Sequence, residues 1–239
     1  MSALLIALLL VAYANVMAIL SARRRWDQWR AFAIGNSVLG LALLAYAAVD
    51  GLLPAVWGRV TGSGLVLGVA AGLPPLAVIL ALMFRPGPLG RDIVASGVGT
   101  ISTRGFAYRV GVQVALTTVV CEEFAFRGVL QVLLVQAVGV PRSAALDALA
   151  FGLWHVVLQY NGFAGLRGPG RWGAALGGSL VYAVLGLILS VVRQSGGGLL
   201  AALVAHGVLD ILMFAAMFVR RRQILYADAL ARAARASTA

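Results

Sequence analysis

Apolar runs of about 20 residues recur along the whole of this 239-residue chain, and they constrain its fold more than any other feature. Each run is long enough to cross a hydrocarbon layer of about 30 Å as an α-helix. Because the interior of a bilayer offers no water to the backbone, such runs must form helices or a closed barrel. Their apolar patterning is continuous and not alternating, which favours helices. The chain is therefore predicted to be all-α, a polytopic transmembrane helical bundle.

Seven membrane spans are predicted from these runs, within a range of six to eight. They lie near residues 3–21, 31–53, 64–84, 108–138, 143–160, 174–193 and 198–219. Pro and Gly residues between Arg85 and Arg104 predict a loop with a short interfacial segment, and the Gly-rich stretch 161–173 predicts a second loop. The Ala- and Arg-rich tail after Arg222 is predicted to be a short amphipathic helix.

The charge of the chain indicates its orientation in a membrane. All 19 basic residues are arginine, and the net charge is +11. Most of them lie at the ends of apolar runs, as topology signals do, so a nucleic-acid partner is not expected. If Arg23–Arg30 is cytoplasmic, 15 arginines fall on that side, which predicts an outside N terminus and a cytoplasmic C terminus. Because arginines follow the first run and no charge precedes it, this run is predicted to be a retained helix and not a cleaved signal peptide.

Ionisable residues inside the predicted spans are few. The chain has only two Glu and two His, and all four lie in predicted spans. A charged residue at the centre of a membrane helix costs about 2.5–3.5 kcal/mol, so such residues usually face the bundle interior and mark a functional path. Two further groups accompany them, Arg127 and Asp210, so the set is Glu122, Glu123, His155, His206, Arg127 and Asp210.

The two adjacent glutamates are predicted to have different environments. Glu123 and Arg127 are four residues apart on one helix face, in the order that favours an ion pair. Glu122 lies about 100° around the helix, where the same arginine does not reach it easily. One carboxylate is therefore expected to be structurally paired and the other available. The neighbouring Cys121 is interpreted as a small packing residue and not as a nucleophile.

The same four-residue spacing occurs on two further spans. His206 and Asp210 share a helix face, so the carboxylate is able to orient the imidazole. Phe151 and His155 repeat the spacing, and Asp147 continues this stripe nearer the outer end, where we expect a rim or packing role. Three spans thus present polar groups toward what we expect to be one cavity.

These residues resemble the three sequence motifs of the CPBP family. That family includes the type II CAAX prenyl endopeptidases and the bacteriocin-processing and immunity-associated membrane proteins. The resemblance covers residues 122–210, whereas residues 1–100 are similar only in hydropathy. In family order the motifs EExxxR, FxxxH and HxxxN or HxxxD correspond to Glu122-Glu123-Phe-Ala-Phe-Arg127, Phe151-x-x-x-His155 and His206-x-x-x-Asp210.

The resemblance implies an intramembrane endopeptidase that depends on glutamate. It implies that Glu122 and His155 hold and activate a water, and that His206, with Asp210, stabilises the oxyanion. The other motif residues would support the site: Glu123, Arg127 and Phe151. The chain is then interpreted as one membrane domain, residues 1–239, with N-terminal helices and a loop over 1–107 and catalytic core helices over 108–219.

The residue at position 210 and the cofactor leave alternatives open. Asp210 stands where the prenyl proteases typically carry Asn, and an ionised Asp cannot donate a hydrogen bond to an oxyanion. Either Asp210 is protonated, or it orients His206, or it ligates a metal. We expect catalysis without a cofactor; the alternative is a Zn²⁺ ion held by Glu122, His155 and His206.

The expected substrate is a membrane-anchored or lipid-modified protein or peptide, cleaved near its C terminus in the lipid bilayer. The composition indicates a GC-rich bacterial source, and hence the bacterial inner membrane. Arg167 and Arg171, in a predicted cytoplasmic loop, serve either substrate binding or topology alone. Two rival functions are a non-catalytic immunity or scaffold protein and a proton-coupled transporter, whose relays use the same residue types. The oligomeric state does not follow from the sequence.

Overall fold

The computed structural model of the chain describes residues 2–85, 101–196 and 198–237. These segments are almost entirely helical, and within them we number nine helices in chain order. They are α1 (Ala3–Arg24), α2 (Gln28–Val49), α3 (Leu53–Trp57), α4 (Gly62–Phe84), α5 (103–138), α6 (Val140–Trp154), α7 (Val156–Gly162), α8 (Gly168–Gly196) and α9 (Leu199–Ser237). The predicted all-α helical bundle is therefore confirmed for the part of the chain that the structure describes.

Five of the described helices, α1, α2, α4, α8 and α9, are long and apolar enough to cross a bilayer. Large apolar side chains are exposed along each of them, as expected for surfaces that face lipid. The chain is thus an integral membrane protein. The count of seven spans also requires α5 and the α6–α7 pair to cross, and it stays a prediction. α5 runs through alternating α- and π-helical segments, while α6 and α7 meet at His155.

Polar side chains cap the N-termini of two of the apolar helices. The side chain of Asp27 accepts hydrogen bonds from the backbone N–H groups of Trp29 and Arg30, at the start of α2. The hydroxyl of Thr61 accepts one from the N–H of Gly64, at the start of α4. Each cap satisfies a donor that the first turn of a helix leaves free, which is worth about 1 kcal/mol.

Two predicted connections differ in the structure. α7 continues to Gly162 and α8 already begins at Gly168, so the predicted loop 161–173 is too long. Gly168 adopts a φ of 54°, and Pro169 follows it in the first turn, where the missing N–H of proline costs nothing. The tail after Arg222 is helical, but it is the uninterrupted end of α9 and not a separate helix. Most of the predicted loop 85–104 lies outside the described residues.

Close packing of α4 against α9 depends on glycine. Three glycines at four-residue spacing on α4 face the backbone of α8 and α9, and small residues of this kind allow membrane helices to approach closely. A Cβ atom built on Gly68 would lie 2.5 Å from the carbonyl oxygen of Ala201. At Gly72 it would lie 2.6 Å from the carbonyl oxygen of Ala205, the residue before His206. The glycine face of α4 therefore sets the position of the α9 segment that carries His206.

We predict that Gly68→Leu destabilises the bundle, because the new side chain must push α9 away from α4. Overpacking of this kind costs about 1–3 kcal/mol. The matched control is Gly177→Leu on α8, where an added Cβ has no neighbour within 4 Å. Thermal unfolding in detergent, followed by tryptophan fluorescence, should show a lower midpoint for Gly68→Leu than for the control. Equal midpoints for the two variants would contradict the packing described here.

Candidate active site

A fully buried ion cluster surrounds the guanidinium of Arg127. Its Nη1 lies 3.2 Å from Oε1 of Glu123, and its Nε lies 3.3 Å from Oδ2 of Asp147. Its Nη2 donates to the carbonyl oxygen of Gly186 at 3.0 Å. The predicted pair between Glu123 and Arg127 is therefore present, and one arginine connects α5, α6 and α8.

Asp147 belongs to this cluster, which agrees with the packing role and not with the rim role, the two alternatives expected for it. Its side chain is completely buried, and it accepts a 2.6 Å hydrogen bond from the hydroxyl of Ser190 in addition to its pairing with Arg127. This burial depends on the packing of α6 against α8, which residue spacing on α6 alone does not reveal. Asp147 is therefore a structural ion-pair partner in the bundle core.

His206 is held by carboxylates on both sides of its ring. Nδ1 lies 2.8 Å from Oε1 of Glu123, the oxygen that Arg127 also contacts. Nε2 lies 3.5 Å from Oδ2 of Asp210, one turn further along α9. Because a carboxylate accepts hydrogen bonds, Nδ1 carries a proton that it donates to Glu123. Glu123 thus links the ion cluster on α5 to the imidazole on α9.

The side chain of His155 occupies a break between α6 and α7. The residue has φ −92° and ψ −5°, and its backbone N–H donates to the carbonyl of Gly152 instead of that of Phe151. The carbonyl oxygen of Phe151 lies 2.8 Å from Nδ1 of His155. A carbonyl only accepts, so Nδ1 is the protonated nitrogen. In the neutral ring this leaves Nε2 as a free acceptor.

Asn15 of α1 completes the hydrogen bonds that this break opens. Its Nδ2 donates to the carbonyl oxygen of Leu153 at 2.9 Å, and its Oδ1 accepts from the N–H of Val157 at 3.0 Å. A regular helix would join those two backbone groups directly. Non-helical backbone at membrane depth is tolerated only when its polar groups are satisfied. The sequence analysis missed Asn15, although an amide inside an apolar run is the kind of signal that marks such a role.

One cavity of about 330 Å³ brings the motif residues together. Glu122 is buried and lines this cavity, separate from the ion cluster that holds Glu123. Its wall includes the two imidazoles, and Tyr182 of α8 stacks on His155 with ring centroids 3.8 Å apart. Tyr182 was also missed, because nothing in its sequence surroundings distinguishes it. The polar lining residues are Gln28, Asn36, Thr118, Glu122, His155, Gln159, Tyr182, His206 and Asp210.

The structure places three further side chains that the sequence analysis named. Phe151 lies 4.1 Å beneath the guanidinium of Arg127, measured to the ring centroid, and meets the ring of His155 edge to face. Cys121 packs beside Gly40 of α2 and is half-buried. Arg171 donates to the backbone carbonyl of Tyr160 at 2.7 Å, on the connection between α7 and α8. That contact gives Arg171 a structural partner outside the cavity lining.

The side chains as placed do not fit the zinc alternative. Among the described residues, no three His, Cys, Asp or Glu side chains are grouped so that they could hold a metal ion. Both ring nitrogens of His206 face protein carboxylates, and Nδ1 of His155 faces a carbonyl. The cavity therefore presents one free ring nitrogen, on His155, and the carboxylate of Glu122.

We predict that Arg127→Met strongly destabilises the fold, because it leaves the buried carboxylates of Glu123 and Asp147 without their cation. Removal of one partner from a buried ion pair costs about 3–5 kcal/mol. Arg142→Met, at an exposed position, is the control. Thermal unfolding in detergent should separate the two variants clearly. An unchanged midpoint for Arg127→Met would show that the cluster contributes little to stability.

Comparison with known proteins supports the family suggested by the motifs. A family model described as type II CAAX prenyl endopeptidase Rce1-like matches residues 105–212, which include every residue of the three motifs. Comparisons with curated proteins and with solved structures find no match for the chain. The match covers less than half of the chain. Within residues 105–212, which bring all three motifs to one helical cavity, the chain carries an Rce1-like domain of the type II CAAX prenyl endopeptidase family.

Proposed function

We propose that this protein hydrolyses a peptide bond near the C terminus of a membrane-anchored or lipid-modified protein, with a water activated by Glu122 and His155. Family membership indicates a CAAX-type intramembrane endopeptidase. The observation that carries the finer proposal is that Glu122, His155 and His206, from three separate helices, line a single cavity. The cavity has room for several water molecules, each of which occupies about 30 Å³ in the liquid.

Water activation falls to Glu122 and His155 because each offers an acceptor to the cavity. Arg127 pairs with Glu123 and not with Glu122, so the carboxylate of Glu122 is available, and Nε2 of His155 is unprotonated in the neutral ring. Two acceptors that hold one water leave its oxygen lone pairs for the substrate carbonyl carbon. Glu122 takes a proton as the oxygen attacks. It returns that proton to the amide nitrogen as the carbon–nitrogen bond breaks, so the step consumes one water and needs no other reactant.

His206 is suited to oxyanion stabilisation and not to base catalysis. Its Nδ1–H is fixed on Glu123, so the ring is oriented by the cluster before substrate arrives. At 3.5 Å the contact between Nε2 and Asp210 is at the limit of a hydrogen bond, so an Nε2–H is only weakly engaged by Asp210 and is left to donate to a developing oxyanion near it. With Nδ1–H also present, the ring then acts as an imidazolium. Of the three possibilities for Asp210, this geometry supports the one in which the carboxylate orients His206. An Asp is sufficient for that role.

The walls of the cavity support an apolar substrate segment. Away from the catalytic side chains it is lined by apolar and aromatic residues of α2, α5, α7 and α9, and it reaches Gln28 and Trp29 at the start of α2. That end of α2 lies within the segment Arg23–Arg30, so the proposed orientation places it at the cytoplasmic side. A bacterial inner-membrane location fits this orientation. The apolar lining residues are Trp29, Phe32, Val114, Leu158, Met213 and Phe214.

The transporter alternative requires a polar path through the bundle. Beyond Glu122, the described part of α5 is instead closely packed: Phe126 and Leu130 are fully buried, and the Arg127 cluster fills the space between α5, α6 and α8. The scaffold alternative gives no reason for a free carboxylate and a free imidazole acceptor in one cavity. Both observations favour hydrolysis.

We predict that Glu122→Gln abolishes proteolysis and leaves the fold intact, because the amide keeps the volume of the carboxylate but is not a base. Asp50→Asn, at the exposed far end of α2, is the control. The membrane proteome of a host strain without the gene should be compared after complementation with wild type and with each variant. Mass spectrometry of protein C termini should reveal a precursor that persists only with Glu122→Gln. Normal processing by that variant would reject the proposed mechanism.

A further inference from the structure

The interface of α6 and α7 with α8 is a regular row of facing pairs. On one side the residues advance by four along α6 and α7, and on the other they retreat by four along α8, as expected for antiparallel helices. One pair is a hydrogen bond, one is a ring stack, and in the other two a glycine lies opposite a larger side chain. In order from the bundle core to the cavity they are Asp147 with Ser190, Phe151 with Gly186, His155 with Tyr182, and Gln159 with Gly178.

Tyr182 makes the closest ring contact of His155. The two rings are nearly parallel, with an interplanar angle of 10° and centroids 3.8 Å apart. Phe151 makes a second ring contact with His155, edge to face, with the ring centroids 4.7 Å apart. The hydrogen bond from Nδ1 to the carbonyl of Phe151 fixes the remaining rotation. Without the stacked ring, the imidazole would be free to rotate toward the cavity and break that hydrogen bond.

The tyrosine is itself held from the next pair in the row. The side chain of Gln159, one turn beyond His155 on α7, lies close enough to the hydroxyl of Tyr182 to interact with it. This position is open to Gln159 because α8 carries glycine opposite it. A Cβ on Gly178 would lie 2.6 Å from Oε1 of Gln159. The stacked geometry is therefore supported from both helices.

We propose that Tyr182 is a positioning residue for the reaction, and that its ring keeps His155 in the Nδ1–H form with Nε2 directed at the catalytic water. The activity part of this inference rests on the proposed function. The positioning part does not, because it concerns the ring of His155 in the protein without substrate. The aromatic ring is the required feature, and the hydroxyl is secondary.

The test compares Tyr182→Phe, which keeps the stacked ring, with Tyr182→Leu, which removes it. The chain contains only two histidines, so protein labelled with ¹⁵N-histidine in detergent gives two resolvable imidazoles by NMR. His206→Gln assigns the signals. Wild type and Tyr182→Phe should show His155 in the Nδ1–H form, with ring protons shifted upfield by the tyrosine or phenylalanine ring. Tyr182→Leu should lose both signatures.

Activity is then measured on the precursor that accumulates with Glu122→Gln, with rates normalised to folded protein. Tyr182→Phe should retain kcat within about threefold, whereas Tyr182→Leu should lower kcat about 10- to 100-fold, because a small misplacement of a catalytic group has effects of that size.

Three outcomes would overturn the inference. The first is an unchanged NMR signature of His155 in Tyr182→Leu. The second is equal loss of kcat in the Phe and Leu variants, which would assign the effect to the hydroxyl. The third is a loss of thermal stability in Tyr182→Leu with normal kcat per folded molecule, which would make the ring purely structural. If no precursor accumulates with Glu122→Gln, the proposed function fails, and the NMR result still decides the positioning of His155.

Discussion

The architecture depends on one buried guanidinium. Arg127 contacts Glu123 on its own helix, Asp147 on α6 and the carbonyl of Gly186 on α8. An isolated charge at this depth would be costly, and a single cation with two carboxylates still leaves excess negative charge. His206 donates Nδ1–H to Glu123 and so offsets part of that excess from α9. The requirement to satisfy these charges is a sufficient reason for four helices to meet at one level in the bundle.

Departures from regular helix give the cavity its shape. Residues 109–119 and 124–130 of α5 are wound as π-helix on either side of Glu122 and Glu123, a form of winding that is often found at functional sites. The break at His155 turns the imidazole toward the cavity and frees backbone groups on both sides. Asn15 and His155 itself satisfy those groups with side-chain hydrogen bonds. A bilayer tolerates such irregular backbone only on that condition, so α1 contributes to the site although none of the motifs lies on it.

The parts of the site that follow from a single helix were predictable from the sequence. Glu123 with Arg127, and His206 with Asp210, are four residues apart. That spacing brings their side chains together on one helix face, however the helices of the bundle pack. The all-α membrane fold followed from the apolar runs for the same reason. Contacts between helices were not predictable in this way. The burial of Asp147 depends on how α6 packs on α8, so residue spacing alone could not decide between a rim role and a packing role.

Residues that contact another helix, at a helix break or at an interface, were harder to identify from the sequence. Asn15 could have been noticed as a lone amide in an apolar run, but its partners lie on α6 and α7, more than 130 positions away along the chain. Tyr182 offers no signal of its own, since an aromatic residue in a membrane helix is most simply a packing group. The start of α8 at Gly168 was missed because Gly and Pro were interpreted as loop residues, whereas this pair begins a helix.

The two adjacent glutamates place the proposed reactive carboxylate and the structural carboxylate within one helical turn. Because consecutive residues differ by about 100° around a helix, Glu123 points into the ion cluster while Glu122 points into the cavity. Glu123 also holds the imidazole of His206, so the structural carboxylate determines where that ring stands relative to Glu122. A shift of the pair by one residue toward the C terminus would leave one carboxylate beside Arg127 and place the other at the position of Phe124, which is buried in the apolar core. The cavity would then receive no carboxylate from α5. The position of the two glutamates along α5, and not only their presence, is therefore a condition for the proposed chemistry.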